Sequence, residues 1–156
     1  MIEKRVWSLS AVVLTACALL SACSGVEENP NTEGRGVTTI TKEDGEQIRL
    51  SGEAEIPEGF PADVPIPANV AVTSSISGDD TATVSIETEM PFEEAVALYY
   101  GYAQEAGYSE AYKMEEADFF NYSGRKDNEQ FVVTLQLDLE DNKTVTGILV
   151  YGKTEN

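Results

Sequence analysis

Alternation of apolar and polar side chains limits this chain more than any other feature. In residues 131–138, Phe131, Val133, Leu135 and Leu137 alternate with Val132, Thr134, Gln136 and Asp138. A period of two places the first set on one face of an extended strand and the second on the other. Residues 81–88 repeat the pattern with Ala82, Val84 and Ile86 pointing one way. In residues 144–151, Val145, Gly147, Leu149 and Tyr151 share one face, opposed by Thr146, Ile148 and Val150. Residues 70–76 and 117–124 read as further strands, and residues 108–114 as a weaker one. Ser77-Gly78-Asp79-Asp80, Arg125-Lys126-Asp127-Asn128 and Glu140-Asp141-Asn142-Lys143 supply polar turns between strands.

One stretch follows a different period. From Pro91 to Ala106, residues Phe92, Ala95, Val96, Tyr99, Ala103 and Ala106 recur at helical spacing. Proline suits a first helical position, Glu93 and Glu94 complement the dipole, and Gly107 suits the C-terminal stop. Gly101 weakens such a helix by about 1 kcal/mol against Ala and suggests close packing on a sheet. Many strands and one helix, joined by short turns, predict an α+β fold: an antiparallel β-sheet with one main α-helix, about 91–106, packed on one face.

Upstream, residues 55–69 contain Pro57, Pro61, Pro65 and Pro67, which predict a stiff, extended lead-in with Phe60, Val64 and Ile66 docked on the domain. Residues 37–41 and 47–50 are β-rich and flank Glu43-Asp44-Gly45-Glu46, an Asp-Gly hairpin signal. They contain few large apolar residues, which places this hairpin at an edge or as an appendage. Residues 24–36 are polar and Gly-rich, the composition of a flexible tether.

The N-terminus opens with Lys4 and Arg5, continues as an apolar run to Ala22, and ends in small residues at Cys23. Cations, an apolar run and a small-residue site make a secretory signal. Leu20-Ser21-Ala22-Cys23 resembles the lipobox of bacterial lipoproteins. The resemblance implies cleavage before Cys23 and a lipid on its thiol. It divides the chain into a signal at 1–22, a lipidated Cys23 with tether at 23–36, a hairpin extension at 37–54 and an α+β domain at 55–153. Two further readings of the run are an uncleaved membrane anchor and a plain secretory signal with an incidental Cys23. Phe60-Pro61-Ala62-Asp63-Val64-Pro65-Ile66-Pro67, the later Pro91-Phe92-Glu93-Glu94 with Tyr99, and Ala106-Gly107-Tyr108 resemble small bacterial lipoprotein domains that open "FPxDVPIP". That resemblance implies a shared fold and no activity.

The chain carries 28 acids against 10 bases, a net charge of −18. Loss of residues 1–22 removes Glu3, Lys4 and Arg5 and leaves 27 acids against 8 bases, or −19. Such acidity argues against nucleic acid and against docking of the folded domain on anionic lipid, since both require clustered Lys and Arg. A lipid on Cys23, not the protein surface, would hold the domain at a membrane. Ser24 after the cysteine resembles lipoproteins sent to the periplasmic side of an outer membrane, where the source has two membranes.

The chain has no His, which excludes Ser-His-Asp and Cys-His catalysis and imidazole zinc sites. Glu93-Glu94, Glu115-Glu116 and Asp79-Asp80 are adjacent carboxylates, and adjacent residues on a helix do not face each other. No catalytic, cofactor or metal residues are assigned and no cofactor is expected. Residues 138–142 gather oxygen donors in one turn but lack the spaced pattern of a calcium loop. Tyr100, Tyr102, Tyr112, Phe119 and Tyr122 form the candidate recognition surface. The reading is a non-enzymatic, lipid-anchored envelope protein that binds a partner protein or supports an envelope assembly. The alternative is a lipoprotein that captures a small molecule, a glycan or Ca2+.

Overall fold

The computed structural model describes residues 37–42, 45–52 and 55–154. Cys23, the signal and the tether lie outside them, as do Glu43 and Asp44 of the first hairpin. Eight strands form one sheet: β1 (Val37–Thr41), β2 (Gln47–Ser51), β3 (Val70–Ser77), β4 (Thr81–Thr88), β5 (Ser109–Glu115), β6 (Phe119–Lys126), β7 (Glu129–Leu137) and β8 (Val145–Lys153), with one helix, α1 (Phe92–Glu105), between β4 and β5. The spatial order is β1-β2-β3-β4-β8-β7-β6-β5 and every pairing is antiparallel. The architecture is therefore the expected antiparallel sheet with one helix.

The first hairpin proves to be an edge of this sheet. β2 meets β3 through Arg49↔Ser77, Leu50↔Ile76 and Ser51↔Ser75. After β4 the chain crosses by α1 to the far edge at β5. It then returns as a meander until β8 lies between β7 and β4.

Alternation sorts the faces as the sequence indicates. Ala82, Val84, Ile86, Phe131, Val133, Leu135, Val145 and Leu149 are at most 3% exposed and line the helix side. Ala95, Val96, Tyr99 and Ala103 of α1 are buried against that side, and α1 lies over β6 and β7. The helix starts one residue after Pro91, which occupies the cap position instead of the first turn. It stops where Gly107 takes φ +88. There the Gly107 N–H donates to Gln104 O at 3.1 Å and the Tyr108 N–H to Ala103 O at 2.9 Å, which completes a Schellman cap.

Two expectations are corrected. The proline lead-in is not simply extended. It advances in successive turns, in which Phe60 N–H, Val64 N–H and Val70 N–H donate to Pro57 O, Pro61 O and Pro67 O. These turns seat Phe60 and Val64 in the core, with Ile66 partly buried beside them. A proline that supplies its carbonyl to the residue three ahead makes a compact turn without needing its missing donor. Gly101 does not serve close packing on the sheet: a Cβ there would meet nothing within 4 Å.

Close approaches occur instead at Gly147 in β8 and at Gly124 in β6. A Cβ at Gly124 would lie 2.8 Å from Tyr122 Cζ and 2.9 Å from Tyr108 Cβ. Gly124→Ala is therefore expected to destabilise the domain by about 1–3 kcal/mol, the usual cost of overpacking. Thermal unfolding followed by circular dichroism checks this, with Gly101→Ala as the contrasting substitution that lowers nothing.

Candidate recognition surface

The tyrosines of α1 do not form an exposed patch. Tyr100 and Tyr102 sit on opposite flanks of the apolar stripe of α1, each one turn from its buried residues. From there both reach down onto the sheet. The Tyr100 ring meets Tyr122 edge-on at 5.3 Å and Phe120 at 6.0 Å. The Tyr102 ring meets Phe131 edge-on at 5.3 Å and Tyr108 at 6.5 Å. Tyr122 is fully buried, and its hydroxyl donates to Tyr108 O at 3.2 Å. The expected surface of five aromatics is thus corrected: Tyr122 belongs to the core, and Tyr100 and Tyr102 are half-buried around it. A helix laid over β6 and β7 places its flanking residues against the same sheet as its central ones.

A polar cluster not anticipated from the sequence lies at the C-terminal end of α1. Glu129 accepts from the Tyr151 hydroxyl at 2.8 Å and from the Tyr108 hydroxyl at 3.5 Å. Burial pushes Tyr102 up to about 12, helped by the Asp63 and Glu129 carboxylates. Burial, with its hydrogen bond to Glu129, likewise pushes Tyr151 up to about 12. Tyr108 is raised further by burial and by Tyr102. Near neutral pH these phenols remain protonated donors and cannot act as bases. No motif signals the cluster, because it joins residues from the lead-in, α1, the connection from α1 to β5, β7 and β8.

Tyr99 differs from these. Its hydroxyl is buried with no hydrogen-bond partner, and burial pushes it up to about 12. Removal of an unpaired buried hydroxyl relieves a desolvation cost. Tyr99→Phe is expected to stabilise the domain by about 1 kcal/mol in urea unfolding. A loss of stability of that size would reveal a partner for the hydroxyl.

The raised tyrosines also fix a pH dependence. Their folded values lie above the ordinary value near 10, so the folded state keeps protons that the unfolded chain releases. Their stabilisation is fully present below pH 10 and is lost as pH rises towards about 12. Unfolding free energy measured from pH 8 to 12 is expected to fall steeply above pH 10.

In the turn at residues 138–142, Asp138 and Asp141 direct their carboxylates to the backbone. Asp138 Oδ1 accepts from Glu140 N–H at 2.7 Å. Asp141 Oδ1 accepts from Lys143 N–H and Thr144 N–H at 2.8 and 2.9 Å, and Asp141 Oδ2 from the Thr144 hydroxyl. Hydrogen bonds from Thr144 lower Asp141 below the usual carboxylate range. Among the described residues no three His, Cys, Asp or Glu side chains are placed to hold a metal ion. A groove beside α1, lined by Asp63, Pro65, Ala97, Leu98, Gly101 and Glu105, is open to solvent.

The sheet face away from α1 is a different environment. Registers across β3, β4, β8, β7, β6 and β5 align Ser74, Ser85, Ile148, Thr134, Asn121 and Met114 in one row. The next row runs Leu50, Ile76, Thr83, Val150, Val132, Ser123 and Tyr112. Neither row contains a charged side chain, in a chain of net charge −18. Ile76, Ile148, Tyr112 and Met114 are 44%, 48%, 47% and 40% exposed. Tyr112 and Phe119 of the expected surface lie on this face, with Phe119 half-buried; Tyr100 and Tyr102 lie on the other. Ile148 was legible as the out-of-phase neighbour of Leu149, whereas Ile76 has the phase of Val70 and Val72 in the sequence and turns outward only through the irregularity between Val72 and Ser74, and Met114 lies on a strand exposed throughout.

The model of a START domain-like family matches residues 70–145, a span running from the first residue of β3 to the first residue of β8 and including α1. No curated protein and no solved structure matches the chain.

Proposed function

We propose that this chain is a lipid-anchored, non-enzymatic component of a bacterial cell envelope whose folded domain binds a partner protein. The observation that carries the binding reading is the pair of uncharged, partly apolar rows across the middle of this sheet face, with Glu87 in the next row on one side and Arg125 in the next row on the other. An antiparallel sheet with one solvated face ordinarily makes that face polar. Here Ile76, Ile148, Tyr112 and Met114 stand out of it among Thr, Ser and Asn, and no described element covers them.

Charge around the face indicates the chemistry of the partner. At one end of the strands lie Glu87, Glu89, Glu116, Asp118, Asp138, Glu140 and Asp141, with Lys143 as their cation. A partner that fits is flat and apolar at its centre and basic along that side. The anchoring reading rests on the lipobox-like Leu20-Ser21-Ala22-Cys23. Two acyl chains give stable attachment where one gives only marginal binding.

A photo-crosslinking residue placed at Ile148 in the full chain, in native envelopes, tests the reading. It is expected to give one discrete protein adduct that an Ile76→Asp substitution abolishes. The same probe at Leu98 on α1 gives none. Equal adducts at both positions, or none at Ile148, overturn the partner reading. Cys23→Ala is expected to release the chain from the membrane fraction, and retention there would overturn the anchor.

A further inference from the structure

We propose that β5 is a self-pairing edge, and that two copies of this chain join antiparallel through it about a twofold axis at Met114. The inference rests on the edge strand, and stands or falls apart from partner binding by the open face.

β5 closes one side of the sheet, and its residues are exposed along the whole strand. Such an edge presents backbone donors and acceptors ready to pair with another strand. Which groups are free follows from the hairpin that joins β5 to β6. The Glu116 N–H donates to Phe119 O at 2.8 Å. The register continues as Glu115↔Phe120, Met114↔Asn121 and Lys113↔Tyr122. Inward and outward hydrogen bonding alternates along an antiparallel strand. The N–H and C=O of Met114 therefore turn towards β6, and those of Lys113 and Glu115 turn outward.

A second copy must pair with those outward groups. If the twofold axis sits at Lys113, two lysines oppose each other. If it sits at Glu115, two glutamates do. With the axis at Met114, Lys113 of each copy faces Glu115 of the other, and both pairs exchange backbone hydrogen bonds. Opposite charges directly across an antiparallel pair attract, and like charges repel. Lys113 and Glu115 already lie within 3.1 Å of each other along the strand, with the Lys113 ammonium 4.8 Å above the Tyr100 ring. The side chains are thus held on the helix side of the sheet, where the reciprocal pairs would form. On the opposite face the two Met114 side chains meet at the axis, and Tyr112 lies beside Glu116 of the second copy. The bulge between Glu110 and Tyr112 ends the regular edge, so pairing is confined to its C-terminal half.

This edge is short and the chain is strongly acidic, so the association is weak in dilute solution and gains from any confinement that raises local concentration. Cysteine crosslinking of the full chain in native envelopes tests it, with the chain lacking an added cysteine as the background. The two Met114 residues would form a non-hydrogen-bonded pair with Cα atoms about 4.5 Å apart, within disulfide range. Met114→Cys is expected to give a disulfide-linked dimer under copper–phenanthroline oxidation. Tyr112→Cys, equally exposed but four residues from its own copy across the axis, gives little. Lys113→Glu or Glu115→Lys alone is expected to slow the Met114→Cys reaction severalfold, and the double reversal to restore it. Equal rates at positions 112 and 114, or no recovery in the double reversal, overturn the proposal. Circular dichroism of each variant separates loss of pairing from loss of fold.

Discussion

Among the described residues a single helix has to serve an eight-stranded sheet, and most of the structure follows from that mismatch. Eight strands spaced about 4.8 Å apart span about 34 Å. A helix of 14 residues is about 21 Å long and about 10 Å across. It can cover only part of one face. α1 lies over β6 and β7, and there the core is densest and most aromatic. Phe120, Tyr122, Phe131 and Tyr99 are all fully buried at this contact. The proline-containing lead-in adds Phe60 and Val64 to the same core, running from beside β2 and β3 at Ile56 to beside α1 at Asp63 and Pro65. Beyond it β1 and β2 are made largely of Thr, Ser and single branched residues, which need little cover. Among the described residues no layer covers the second face.

The same mismatch explains where the polar atoms are. Tyrosines that flank a lone helix reach past its edges, and their hydroxyls come out at the margins of the core. Tyr108 and Tyr151 find Glu129 there, and Tyr100 finds Glu110 at 3.2 Å. Tyr99, at the middle of the stripe, cannot reach a margin and is left unpaired. The aromatic third of the chain is thus a packing device, in which ring faces and edges fill the space between helix and sheet. Its exposed counterpart, Tyr112, lies on the opposite face, on an edge strand that is exposed throughout.

Most elements were legible because their signals are local. Alternation in residues 131–138 and 144–151, helical spacing from Phe92 to Ala106 and the stop at Gly107 each depend on a few neighbouring residues. The path of residues 55–69 was not legible, because proline limits φ without choosing between an extended run and linked turns. The fate of Tyr100 and Tyr102 depended on where α1 crosses the sheet. Helical periodicity gives the central direction of a face and not how wide a face the partner surface can accept. Strand order was beyond local reading for a similar reason: Thr81 pairs with Gly152, across most of the domain. The Glu129 cluster shares that difficulty, since its members come from five separate segments. The open face was half legible: Ile148 alternates with core residues of its own strand, but the irregularity between Val72 and Ser74 reverses the phase of Ile76, and β5 has no buried residue to set the phase of Tyr112 and Met114.

The position of β8 has a consequence for how the chain reaches this state. β8 is last in chain order, yet it lies in the interior of the sheet between β4 and β7. The meander of β5, β6 and β7 and the hairpin of β3 and β4 can each form from nearby residues. Nothing joins these two halves edge to edge until the final strand enters between them. Long-range closure of this kind is slow relative to local pairing. A chain threaded through a narrow channel from its N-terminus would therefore stay open until its last strand had passed.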